Sequence, residues 1–206
     1  MDTRQTIVAL ATPSGPAARA ILRLSGERVQ PPLAAVFETP LRPGHVVAGM
    51  LQLPDLPPVP AQVLYSAAPH SYTGQEVAEI HLPGCGPILD RLLARLIEVG
   101  CRPAQPGEFT QRAFLAGKLD LPRAEAVHAV IAAQTRGELR AALGQLAGGL
   151  TTPLRELRES LLDLLADLEA GLDFADEDIS FISTEQMLHR LTAAMARVTL
   201  LGKQLE

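Results

Sequence analysis

Two hydrophobic rhythms divide this chain. Over roughly the first 120 positions, short apolar runs are punctuated by glycine and proline; afterwards leucines recur at steps of three and four. The early runs Thr6–Ala11, Ala20–Leu24, Val46–Leu53, Ala61–Tyr65 and Val77–Leu82 are partly β-branched and bounded by turn formers, which predicts five strands. Pro57, Pro58 and Pro60 bar regular structure between the third and fourth. A helix is predicted from Pro87, with Ile88, Leu89, Leu92, Leu93, Leu96 and Ile97 on one stripe and Gly100 as its stop. Gly84 and Gly86 ahead of it complete a strand, turn and helix. A further helix is expected between Ser25 and Phe37, although Pro31 and Pro32 interrupt that stretch.

The second rhythm predicts three helices. Asp120 can cap the first, which starts around Leu121 and Pro122, continues through Val127, Ile131, Leu139, Leu143 and Leu146, and frays at Gly148 and Gly149. Leu154, Leu157, Leu161, Leu164, Leu165, Leu168 and Leu172 form the seam of the second. Ser183 followed by Gln186 is a capping-box pattern for the third, which carries Met187, Leu188, Leu191, Met195 and Val198. Three seams without a fourth partner describe an unfinished bundle.

Composition sharpens the boundary near Asp120. Sixteen of the 17 prolines lie within residues 1–122, and acids and bases balance at ten each through residue 120, so the net charge of -5 resides in the helical part. That balance excludes a nucleic-acid binder held by bulk charge. No apolar run suits a signal peptide or a membrane span, so a cytoplasmic protein is the expectation. Cys85 and Cys101 lack CxxC spacing and are expected to be free thiols. No GxxxxGK[ST], GxSxG or HExxH is present, and tryptophan is absent, which argues against a base-stacking surface.

Four residues stand out as candidate chemistry. In EVAEIHL, alternation puts Glu79 and His81 on one face and Ala78, Ile80 and Leu82 on the other. A carboxylate there can accept paired N–H donors from a heterocycle or serve a half-solvated face, and His81 has no evident partner for acid–base work. Arg23 lies within the apolar strand AILRLSG, where a cation snorkels or pairs, and Glu79 is the candidate partner. Lys118 is one of only two lysines beside 16 arginines and reads as a solvated loop charge or as a cation for a ligand carboxylate. Asp176, Glu177 and Asp178 could suggest magnesium, but three successive acids point apart and read as a solvated loop.

The segments TIVALATPSG, AILRLSG, HSYTGQEVAEIHLPGCG, RPAQPGEFTQRAFLAGKLDLPRAEAV and LEAGLDFADEDISF, in this order, resemble the amino-terminal region of the tRNA modification GTPase family. The resemblance implies an α+β chain. Residues 1–119 would form a mixed α/β, aminomethyltransferase-like domain that binds folate and dimerises, and residues 120–206 the first part of a helical domain. It further implies a role in modifying wobble uridine U34 of tRNA with a flavoprotein partner, and 5-formyl-tetrahydrofolate as the one-carbon donor. GTP, potassium and magnesium would act only through a GTPase domain that follows. By motif, Arg23 in ILRLSG, Glu79 in EVAEIH and Lys118 in LAGKLDL match the family's folate contacts, with Glu79 on the pterin and the cations suited to the glutamate tail. No catalytic or metal-binding residue is expected within these 206.

Two segments depart from the family pattern. PSGPAARAILR stands where more glycine, as in PPGRGG, is usual, and LPGCG stands where HGHGG or similar follows the central strand. If those glycines permit close backbone approach, their loss reshapes the folate pocket. Two alternatives therefore stand beside the folate reading: a standalone dimerisation module without ligand, and an aminomethyltransferase-like folate enzyme, for which only His81 and Glu79 could serve as acid or base.

Overall fold

The computed structural model of the chain describes residues 3–13, 15–173 and 181–203. The chain forms two compact units, Met1–Asp120 and Leu121–Glu206. The first is a mixed sheet with helices and the second is helical, so the chain is α+β.

Six strands make the sheet: β1 (Ile7–Leu10), β2 (Ala17–Gly26), β3 (Val46–Leu51), β4 (Val59–Ser66), β5 (Glu76–Gly84) and β6 (Arg102–Pro103), in the order β3-β4-β5-β2-β1-β6. Among the described residues, only β1 and β6 pair in parallel. The five predicted strands are all present. The sixth was not anticipated, because two residues carry no alternation. Pro60 lies inside β4 opposite Met50, outside the expected break; it precedes Gln62, where pairing with β5 begins, so its missing N–H costs no bond to β5.

One face of the sheet is the core. Leu22, Leu24, Val63 and Ile80 are fully buried there, together with Leu33 of α1 (Gln30–Ala34) and Leu92 and Leu96 of α2 (Gly86–Glu98). Pro31 and Pro32 occupy the first turn of α1, where a missing N–H is harmless, so they begin the helix that they were expected to interrupt. β2 and β5 carry the central register, with Arg23 opposite Glu79 and Ile21 opposite His81. Near its start β2 is bulged: Ala17 pairs with Gly84 and Ala20 with Leu82, so Ala18 and Arg19 share one opposing residue, Pro83. The strands approach so closely here that a Cβ on Gly84 would lie 2.6 Å from the Ala17 carbonyl oxygen.

After β6 the chain makes a helix that the apolar pattern did not reveal, α3 (Glu108–Leu115), entered through Gly107 in the left-handed region at φ 76°. In the second unit the expected helix from Leu121 to Leu146 is two helices, α4 (Leu121–Ala132) and α5 (Arg136–Leu146). The break has a local cause. The Thr135 side chain accepts the Glu138 N–H, and Glu138 accepts the N–H groups of Thr135 and Gln134. Ala126 and Ala142 are buried, whereas Ile131, Leu139 and Leu143 of the expected seam are exposed. The second and third predicted helices are α6 (Thr151–Asp173) and α7 (Thr184–Lys203). The Ser183–Gln186 capping box is present in both directions. Arg190 to Asp167 and Arg197 to Glu156 tie α7 to α6. On α6, Leu157 and Leu164 are buried while Leu154, Leu161 and Leu165 remain exposed. The acids Asp176, Glu177 and Asp178 lie outside the described residues.

Candidate functional site

The sheet face opposite the core gathers polar groups. β2 and β5 are adjacent, so the cross-strand register sets Arg23 and Glu79 side by side, and period-two alternation adds His81. Arg23 donates from Nε to Glu79 Oε1 at 2.8 Å, and its terminal nitrogen lies 2.8 Å from the same oxygen. The other oxygen, Oε2, faces His81 Nε2 at 3.5 Å, beyond a good hydrogen bond. The acidic neighbour of His81 is therefore Glu79, which alternation had set on the same face. The three side chains are one-fifth to one-third exposed, sheltered yet reachable. The Phe109 ring of α3 stands over the Arg23 guanidinium, 5.7 Å from carbon to centroid. A carboxylate fixed through one oxygen, with the other loosely paired to an imidazole and an aromatic ring close by, suits a planar ligand that offers N–H donors.

Lys118 has a different setting. It follows α3 beyond Gly117, in the left-handed region at φ 68°, and is exposed. Its side chain passes Gly74 in the loop between β4 and β5: a Cβ on Gly74 would meet Lys118 Cε at 3.6 Å and Ala116 Cβ at 2.9 Å. Gly74 itself has φ 76°, so that position needs glycine for its backbone and for its neighbours. The same loop is tied to α3 by Tyr72 and Thr110, whose oxygens are 3.0 Å apart, and to β2 by Thr73 and Ser25 at 2.7 Å.

What holds α3 in place was missed in the sequence. Glu108 and Arg112 are 1% and 3% exposed. Glu108 accepts two bonds from Arg102, at 2.6 and 3.1 Å, one from the Gln105 N–H at 2.9 Å and one from Arg112 at 3.0 Å. Arg112 also donates to the carbonyls of Gln5 and Ser25 and to the Gln75 side chain. Burial alone would raise the Glu108 pKa, but the bonds from Arg102, Gln105 and Arg112 prevail and hold it down at about 2. The available signal was the i, i+4 spacing of Glu108 and Arg112, which marks a helix pair but says nothing about burial.

Cys101 is buried, which pushes its thiol up to about 11, and Cys85 is exposed; both are free. Among the described residues no cluster of His, Cys, Asp and Glu is arranged to hold a metal ion, and no helix is long and apolar enough to cross a membrane.

Comparison with known proteins covers both units. Residues 6–118 match the family model described as GTP-binding protein TrmE N-terminus, and residues 121–205 match the MnmE helical domain. A tRNA modification GTPase MnmE of Rhodopirellula baltica is 48% identical over 199 residues, covering 92% of this chain and 42% of the relative. The Aquifex aeolicus protein of that name is 45% identical over 188 residues, covering 90% and 42%. That of Paramagnetospirillum magneticum is 46% identical over 185, covering 88% and 42%. The chain thus spans about two-fifths of the length of the curated relatives it matches.

Proposed function

Because this chain belongs to the tRNA modification GTPase family, we propose that it is the folate-holding, dimer-forming amino-terminal part of such an enzyme. The observation that carries this reading is the Glu79 carboxylate, which Arg23 holds by one oxygen while the other lies 3.5 Å from His81 Nε2, beyond a good hydrogen bond. Adjacent N–H groups of a pterin edge are complementary to such an acceptor. Phe109 offers an apolar wall beside it, and Lys118 supplies positive charge at the end of α3. The reduced folate supplies the one-carbon unit; the role of Glu79, Arg23 and Lys118 is to bind and orient it. On this reading the chain performs no GTP hydrolysis. Its 206 residues contain no GxxxxGK[ST], so nucleotide chemistry, with its potassium and magnesium, belongs to other parts of a full-length member. Modification of the tRNA wobble uridine with a flavoprotein partner is likewise assigned to the whole assembly, in the cytoplasm.

A homodimer is part of the proposal, and the sheet offers a surface for it. β3 is an edge strand, and its Val46 and Met50 are 61% and 43% exposed. An apolar edge of this kind is commonly covered by another chain. Calorimetric titration of the chain with 5-formyl-tetrahydrofolate tests the ligand, with sedimentation equilibrium for the oligomer. Saturable binding that Glu79→Ala abolishes is expected. A folded dimer that binds no folate would leave the alternative, a dimerisation module without ligand.

A further inference from the structure

The polar face does not end at His81. That residue also lines a groove of about 330 Å³, within the ~300–1,000 Å³ typical of small-molecule sites. Small residues, Ala48, Gly49, Pro60 and Ala61, make much of its wall, and Gln62 and Arg19 add polar groups. The ladder explains the continuity. Ala48 pairs with Gln62 and Gln62 with His81, so one row of side chains on the Glu79 face crosses three strands.

Arg19 reaches the groove from the bulge. Pro83 has no N–H to give to β2, and the ladder accommodates it by setting Ala18 and Arg19 against that single residue. A bulge re-aims the side chains it carries. Arg19 is exposed, and among the described residues its guanidinium enters no hydrogen bond or ion pair. Arg23, by contrast, already directs two nitrogens at Glu79. Of these two arginines, the one with its whole fork available for a ligand carboxylate is therefore Arg19.

We infer that this groove takes the anionic end of the ligand whose polar head is held at Glu79. It suits an extended molecule with a flat, amide-bearing middle and a terminal carboxylate. The inference rests on the folate reading, in which that end is the benzoylglutamate. The ring would lie along the small-residue wall, the amide near Gln62, and the carboxylate on Arg19, in place of Arg23 and Lys118, which the resemblance suited to the tail and which do not line the groove. The glycine-poor segment Pro16–Ala18 thus leads directly into a binding feature.

Titrating the full chain and two charge-reversal variants with 5-formyl-tetrahydrofolate tests this. Arg19→Glu should weaken binding at least about tenfold, because it replaces an attractive pair with a repulsive one. Arg42→Glu makes the same charge change on an exposed arginine outside the groove and should bind as the parent does. A folate with additional glutamates should lose more affinity in Arg19→Glu than the monoglutamate. If both variants match the parent, the groove assignment is overturned and the folate site at Glu79 stands. If the parent shows no saturable binding, the folate reading falls and this inference with it.

Discussion

Glu108 has almost no contact with water, yet its carboxylate stays charged until the pH falls to about 2. Its pKa of about 2, against an ordinary 4.5, means that folding favours its charged form. The linked stability, about 3 kcal/mol by the relation of pKa shift to free energy, is present in full above pH 4.5 and is lost as pH falls through about 2. Acid unfolding followed by circular dichroism should place a large part of the loss in that window. Glu108→Ala strands Arg112 in the interior, so a cost of about 3–5 kcal/mol in urea denaturation at pH 7 is expected. A cost under about 1 kcal/mol would mean the network is replaceable by water. At this scale, residues on regular strands were the legible ones. Glu79 could be named as the partner of Arg23 because a cation inside an apolar strand snorkels or pairs, and the register of β2 and β5 sets the two opposite each other. Glu108 and Arg112 were opaque, since their partners Gln5, Ser25 and Gln75 are far away along the chain.

Helix ends were legible where a side chain writes them and hidden where two patterns overlap. Ser183 and Gln186 formed the box expected of them. Thr135 and Glu138 form the same box, but it sits inside a leucine periodicity that continues across it, so one helix was expected where two exist. Local hydrogen bonding prevailed over that periodicity, and Ala126 of α4 and Ala142 of α5 are buried while Ile131, Leu139 and Leu143 are exposed. Thr135→Ala should destabilise the start of α5 by about 1 kcal/mol. Amide exchange can check this: the Glu138 N–H, which Thr135 accepts, should exchange about fivefold faster, and an unchanged rate would assign the break to packing alone. α3 escaped notice for the opposite reason. Its sequence EFTQRAFL has a charged inner face, with Glu108 and Arg112 buried, so it shows no apolar stripe.

The sheet and the helical unit differ in how complete they are. The first has a closed core on one face, built from strands that composition and turn signals announced. The second leaves Leu154, Leu161 and Leu165 of α6 and Leu188, Met195 and Val198 of α7 exposed, where the sequence reading had three seams lacking a fourth partner. Completion of the first unit depends on its last segment: β6 pairs with β1, and Arg112 reaches the Gln5 carbonyl across 107 positions. A piece ending at residue 100 should therefore lose the cooperative urea transition that a piece ending at residue 120 retains. Cooperative unfolding of the shorter piece would show that β6 and α3 only decorate the sheet. The same connectivity has a consequence for birth on the ribosome. The first strand to emerge stays open along one edge until β6, about 95 codons later, has been translated, so this unit folds when its synthesis is nearly done, and a nascent chain stalled before that point exposes a sticky β-edge to chaperones.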